Sequence, residues 1–273
     1  MLKGPIGVFD SGYGGLTVLK AITSKLPQYD YIYLGDNARA PYGNRSFDTV
    51  YQYTLQSVQW FFNKGCPLVI LACNTASAKA LRTIQQNDLP QIDRKKRVLG
   101  VIRPTSEIIG RFTKNGHVGI LGTTGTVESQ SYPIEIKKFF PDCKVYQEAC
   151  PMWVPLIENK EFDNPGADFF IQKNILHLLA QSNQIDTLLL ACTHYPLLIN
   201  SLKRFVPQST AIITQGDIVA ESLSDYLYRH PVIENSCLKT GRLQFNTTDN
   251  TTHFNDKGAL FYGEPIQSEY VIL

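Results

Sequence analysis

At 273 residues the chain is long enough for one large domain or two smaller ones. Apolar residues make up 43% and charged residues 18%, the balance of an ordinary globular protein, and a net charge of +2 is too small to direct the chain to nucleic acid or an anionic membrane. No apolar run approaches the roughly 18 residues of a membrane helix and no charged-then-apolar leader precedes the first strand pattern, so a cytoplasmic location is expected.

The first strand is predicted over 6–9. It runs into Asp10-Ser11-Gly-Tyr-Gly-Gly15 and then a helix over 16–25. Glycines let backbone N–H groups approach an anion, and a helix start attracts one. There is no Gly-Lys-Ser/Thr and the spacing is not GxGxxG, so nucleotide motifs fail and a carboxylate is the better guest. Asp10 reads either as a helix N-cap or as the carboxylate partner of a thiol. A strand over 31–34 leads into the loop Gly35-Asp-Asn-Ala-Arg-Ala-Pro-Tyr42-Gly43, and a helix is expected over 48–63.

The strand over 68–72 closes in Ala-Cys73. Asn74 and Thr75 are N-cap residue types before a helix over 76–86. Cys73 would lie near that helix start, whose partial positive charge favours a thiolate. A free thiol titrates at about 8.5, so a modest downward shift would make it a base near neutrality. The basic cluster Asp93-Arg-Lys-Lys-Arg97 reads as a solvated loop.

Strands follow over 98–102 and 117–121. The second is succeeded by Gly122-Thr123-Thr-Gly-Thr126, a source of backbone amides and hydroxyls. A helix over 131–139, a strand over 143–146 and a helix over 168–180 come next. The strand over 187–191 repeats the Ala-Cys ending as Ala191-Cys192-Thr193-His194, with an imidazole two residues past the thiol that can orient or share its proton. A strand over 211–214 and a helix over 218–228 complete the alternation. The tail from 238 reads as irregular, with short strands or a packed arm at 243–245 and 270–273.

Strand–helix alternation argues for a mostly parallel sheet covered on both faces. Apolar runs closed by polar residues are buried parallel strands, and ligands bind at their carboxyl ends. Ile6-Gly-Val-Phe-Asp-Ser-Gly can be set against Val118-Gly-Ile-Leu-Gly-Thr-Thr, and Cys73 against Cys192, which suggests a duplicated α/β unit. Two thiols so placed suggest an acid/base pair facing one another across a substrate. The six cysteines are expected to be reduced, and with no CxxC spacing a zinc site has no support.

Six segments, in chain order, resemble the glutamate racemases of the cofactor-independent aspartate/glutamate racemase superfamily. They are Phe9-Asp-Ser-Gly-Tyr-Gly-Gly15, Gly35-Asp-Asn-Ala-Arg-Ala-Pro-Tyr-Gly43, Ala72-Cys-Asn-Thr-Ala76, Gly122-Thr-Thr-Gly-Thr-Val127, Cys150-Pro-Met-Trp-Val-Pro-Leu-Ile-Glu158 and Ala191-Cys-Thr-His-Tyr-Pro196. The resemblance implies two similar α/β domains, each a mostly parallel sheet flanked by helices, with the active site in the cleft between them. Residues 1–98 plus 210–273 would form the first and 99–209 the second. It implies interconversion of L- and D-glutamate with no cofactor or metal, supplying D-glutamate for peptidoglycan.

By the same resemblance, Cys73 acts on D-glutamate and Cys192 on L-glutamate. Asp10 is the carboxylate beside Cys73, and His194 and Glu158 assist Cys192. Ser11, Tyr42, Gly43, Asn74, Thr75, Thr123, Thr126 and Thr193 match substrate-binding positions, as do Asp10 and His194. Glu161 lies three residues past Glu158 in loosely patterned sequence, so the choice between the two stays open. Family members commonly form homodimers, and no interface is legible here. The rival readings are a racemase of another acidic amino acid such as aspartate, a non-catalytic two-lobed binder of small anions, and, less well matched because the thiol is duplicated, a cysteine hydrolase.

Overall fold

Residues 3–273 are described by a computed structural model of the chain. The apolar runs form strands because only extended, doubly covered backbone buries such side chains on both faces. The strands are β1 (Ile6–Asp10), β2 (Tyr31–Gly35), β3 (Leu68–Leu71), β4 (Arg97–Gly100), β5 (His117–Gly122), β6 (Lys144–Ala149), β7 (Thr187–Ala191), β8 (Ala211–Ile213), β9 (Leu243–Thr247) and β10 (Ser268–Tyr270). Among the described residues they make two sheets, in the orders β10-β9-β2-β1-β3-β4 and β6-β5-β7-β8, with every pairing parallel. β1, β2, β3, β5 and β7 are buried along their whole length. The fold is α/β, two parallel sheets flanked by helices.

Register decides what meets at the sheet edges. Phe9 stands opposite Leu71, and the Ala72 N–H donates to the Phe9 carbonyl at 2.8 Å, so Ser11 and Cys73 leave the first sheet side by side. Gly122 stands opposite both Ala149 and Ala191, so Thr123, Cys150 and Cys192 leave the second sheet together. Both sets come off at carboxyl ends, where parallel α/β sheets hold their ligands.

Several elements differ from the sequence reading. The helix expected over 76–86 begins at Asn74 and breaks after Lys79; short turns at Leu81–Thr83 and a π-helical stretch at Ile84–Asp88 replace its second half. Its cap is neither Asn74 nor Thr75 but Cys73, whose Sγ accepts from the Ala76 N–H at 3.5 Å. The strand expected over 98–102 stops at Gly100, and Ile102–Ser106 is helical. β8 pairs with β7, from Thr187 opposite Ala211 to Leu189 opposite Ile213. The second sheet therefore takes in residues 211–213, beyond the boundary expected at 210.

The tail contains a full helix, Thr251–Tyr262, that the sequence reading missed. Asn250 caps it by accepting from the His253 N–H, and Gly263 ends it at φ 83°, a left-handed conformation that suits glycine. Its buried residues are Phe254, Gly258 and Phe261, a stripe with a glycine in its middle and therefore a weak apolar signal.

The chain leaves the first sheet after β4, builds the second, and returns to add β9 beside β2. Asp30 anchors the return. Its backbone N–H donates to the Leu238 carbonyl at 3.0 Å, and its carboxylate accepts from the Thr240 N–H and hydroxyl and from the Arg242 N–H. Burial works against its charge, but the donors of Thr240 and Arg242 outweigh it and hold the carboxyl below its ordinary range. Among the described residues no helix is long and apolar enough to cross a membrane.

Asp30→Ala should lower stability by about 1–3 kcal/mol, the cost of stranding buried donors. Because the folded pKa is depressed, the Asp30 contribution is present above the ordinary value of 3.8 and lost as pH falls below it. Urea midpoints of both proteins between pH 7 and 3 should converge at the acid end; a constant gap would remove the charge from the account.

Candidate active site

Between the carboxyl ends of the two sheets lies a cavity of about 120 Å³. Drug-sized ligand pockets run to about 300–1,000 Å³, so this one suits a smaller molecule. The first sheet and its loops contribute Ser11, Tyr42, Gly43, Cys73, Asn74 and Thr75 to its wall; the second contributes Thr123, Glu158, Cys192, Thr193 and His194. A larger cavity of about 820 Å³, bounded in part by Arg82, Arg103 and Tyr226, contains none of the residues singled out from the sequence. Chemistry therefore selects the smaller one.

Two expected residues stand behind the wall. Asp10 is fully buried; it accepts from the Gly12 N–H at 3.0 Å and from the Thr193 hydroxyl at 3.5 Å. Thr126 is also fully buried, with its N–H on the Thr123 Oγ1 and its own Oγ1 accepting from the Thr123 hydroxyl. It supports Thr123 rather than lining the cavity.

Cys73 is 6% exposed, and its Sγ donates to the Ser11 Oγ at 3.6 Å. Burial, and then the Asp10 carboxylate, push the thiol up to about 12. This corrects the expectation of a thiol lowered toward neutrality: the Ala76 N–H and Ser11 favour the thiolate, but a six-residue helix start does not outweigh desolvation beside a carboxylate. Burial also raises Asp10, against the opposing pull of the His194 charge and the Gly12 and Gly15 amides.

Cys192, likewise 6% exposed, sits 3.9 Å from Nδ1 of His194. On the other side of the ring, Nε2 is 2.8 Å from Oε1 of Glu158. Burial disfavours a charged imidazole, yet hydrogen bonds to Cys192 and Glu158 prevail and carry His194 to about 10. The ring thus bridges a thiol and a carboxylate as an imidazolium, donating from both nitrogens. Phe261 of the tail helix packs edge-on against it, with centroids 5.0 Å apart. Glu161 is elsewhere: its carboxylate accepts from Asn164 at the start of the helix Pro165–Gln181. The structure brings Glu158, not Glu161, to His194.

The two halves touch around the cavity. The Thr75 and Thr123 hydroxyls are 2.9 Å apart, the Gly125 N–H donates to the Gly43 carbonyl at 2.8 Å, and the Thr17 hydroxyl donates to the Thr193 carbonyl at 3.0 Å. Gly14 permits the last approach, since a Cβ there would overlap His194 Nδ1 and Thr193 Oγ1.

Sequence reasoning missed Asp36 and Cys150. Asp36 is fully buried; it accepts from the Tyr42 hydroxyl, from Arg39 Nε at 2.6 Å and from the Thr248 hydroxyl at 2.9 Å, and so sets the Tyr42 loop. Its signal was present in the quoted loop. Cys150 is a third thiol in the cavity wall, pushed well above its ordinary value by burial. Its position at a strand end before Pro151 repeats the pattern of the other two.

The model of the Asp/Glu/hydantoin racemase family matches residues 9–223. A glutamate racemase of Sulfurihydrogenibium sp. is 36% identical over 271 residues, covering 98% of this chain and 97% of that protein. A crystal structure of a glutamate racemase isoform from Bacillus anthracis superposes with a TM-score of 0.89 at 32% identity, over 99% of this chain and 98% of that one. The glutamate racemase of Francisella tularensis in complex with D-glutamate gives 0.87 at 29% identity, with the same coverage.

His194 titrates in the folded chain above its ordinary 6.5, so the stability it contributes is complete below that value and is lost as pH rises toward about 10. Glu158→Gln removes one of the groups that raise it. The unfolding-midpoint gap between the native chain and this variant should be widest near pH 6 and narrow as pH approaches 10. A gap that widens with pH would refute the imidazolium. Gly14→Ala should displace His194 and cost about 1–3 kcal/mol of stability by overpacking, read as a lower urea midpoint.

Proposed function

The chain belongs to the Asp/Glu/hydantoin racemase family, and from that premise we propose that it interconverts L- and D-glutamate by passing the α-proton between Cys73 and Cys192. The observation that carries this reading is the pair of buried thiols, each at the carboxyl end of a strand in a different sheet, in the wall of one small cavity. Racemisation needs a base on one face of the α-carbon and an acid on the other, and two thiols supply both.

The step balances without a further reagent. One thiolate takes the α-hydrogen as a proton, and the electron pair moves into the adjoining carboxylate. The opposite thiol then returns a proton to the other face. Charge growing on the carboxylate would be met by preset donors, the hydroxyl of Ser11 and the amide of Asn74. The raised thiol of Cys73 and the imidazolium of His194 beside Cys192 fit a resting form that takes the proton of L-glutamate at Cys192 and delivers one from Cys73. Asp10 and His194 would return the pair to this state after turnover.

In this reading the two α/β units, 1–98 with 210–273 and 99–209, close on substrate from either side, with 211–213 passing to the second. The chain acts in the cytoplasm, where its six free cysteines stay reduced, forms the homodimer its resemblance implies, and supplies D-glutamate for peptidoglycan. Aspartate as the substrate has less support, since relatives 36% and 37% identical over nearly the whole chain are glutamate racemases.

Racemisation of L-glutamate with no added cofactor, followed by circular dichroism with aspartate in parallel, tests the substrate. In deuterated water, deuterium should enter the product α-carbon faster than the starting enantiomer. Cys73→Ala and Cys192→Ala should each abolish racemisation while leaving the melting temperature within a few degrees of the native chain. Product that keeps its original α-hydrogen, or full activity in either variant, would defeat the two-thiol scheme.

A further inference from the structure

Asn74 follows Cys73 in the cavity wall, and its amide belongs to a closed ring of three buried side chains. Asn74 Nδ2 donates to Gln215 Oε1 at 2.7 Å, Gln215 Nε2 donates to the Tyr132 hydroxyl at 2.7 Å, and that hydroxyl donates to Asn74 Oδ1 at 2.5 Å. A tyrosine has one proton to give, so the ring must run one way round, and the Val101 carbonyl beside Gln215 Nε2, which can only accept, selects this direction. Turning over one amide sets like groups against each other within the ring, and turning over both sets the Gln215 oxygen against the Val101 carbonyl, which settles both orientations on hydrogen-bond grounds.

The remaining valences are equally determined. The other Gln215 N–H has the Thr105 Oγ1 at 3.0 Å and the Val101 carbonyl at 3.2 Å, and the Thr105 hydroxyl itself donates to Val101. Asn74 is left with one N–H not used in the ring. The three members come from three places: Asn74 opens the short helix after β3, Tyr132 lies on the helix Ser131–Phe139 of the second half, and Gln215 sits just before Gly216–Arg229, where the chain returns. Val101 and Thr105 lie on the outward crossing after β4. The ring thus joins both crossings of the chain to the residue beside Cys73.

We infer that Tyr132 and Gln215, neither of which lines the cavity, are positioning residues that hold the Asn74 amide with its free N–H toward the substrate. The inference rests on the proposed reading in which Asn74 binds the substrate. Homodromic rings strengthen each member bond and resist rotation, so loss of one member releases the amide as well as a bond.

Tyr132→Phe removes the hydroxyl and keeps the ring shape. It should raise KM for L-glutamate about ten-fold, the scale of one lost hydrogen bond to a charged group. The fall in kcat should be smaller, below about three-fold. In an Asn74→Ala background the same change should add nothing to KM, because the two residues act through one bond. Gln215→Met, run through the same cycle, should match it and serves if Tyr132→Phe does not fold. An unchanged KM with a lowered melting temperature, or KM effects that add in the double variant, would reduce the ring to a structural role and overturn the inference. Failure of the racemase reading shows separately, as an absence of turnover in the native chain.

Discussion

Burying thiols, carboxylates and an imidazole together makes their charged forms costly, and the neighbours of each group decide which of them ionise. That conflict organises this molecule. Asp10, Cys73, Cys192 and His194 all have less than a tenth of their surface exposed, and Glu158 lies against them. Desolvation pushes Asp10 and Cys73 toward their protonated forms, while Cys192 and Glu158 hold His194 protonated against the same desolvation. The cluster therefore carries unequal charge on its two sides although the thiols occupy equivalent strand ends. The symmetry is in the backbone and the asymmetry in the neighbours: Ser11 and Asp10 for one sulfur, an imidazolium for the other.

The surrounding fold reduces the freedom of these groups. Parallel pairing sets Ser11 beside Cys73 and Thr123 level with Cys150 and Cys192. Asp36 fixes the Tyr42 loop, Phe261 backs His194, and Gly14 lets the two halves meet without a side chain between them. The Asn74–Tyr132–Gln215 ring adds a link between the site and both crossings of the chain. Positioning of this kind, with side chains held by packing and outer hydrogen bonds, is what the proposed proton transfer requires.

Much of the site was legible because its residues stand at breaks in hydrophobic pattern. Cys73 and Cys192 end apolar runs, and Thr123 opens a small-residue turn after one. Those signals are local. The choice between Glu158 and Glu161 was not legible, because Glu158 ends the helix Trp153–Glu158 with Glu161 three residues on, and only the path of the backbone aims Glu158 at His194. The helix Thr251–Tyr262 was hidden because a glycine interrupts its buried face, and Ile266 and Leu16 fill the space that glycine leaves. Gln215 carried no sequence signal at all, since its partners lie 83 to 141 residues away.

The sequence alone determined the alternation of strand and helix, the parallel α/β class and the two thiols at strand ends, because hydrophobic period and turn chemistry act over a few residues. Only the tertiary structure decided the protonation tendencies. A cysteine at a helix start reads as a lowered thiol, but its titration depends on the summed desolvation and charge of groups from both halves. Burial beside Asp10 reversed the direction inferred for Cys73. The same holds for capping, where Cys73 displaced the better-suited Asn74 because Asn74 was engaged by residues that sequence distance conceals.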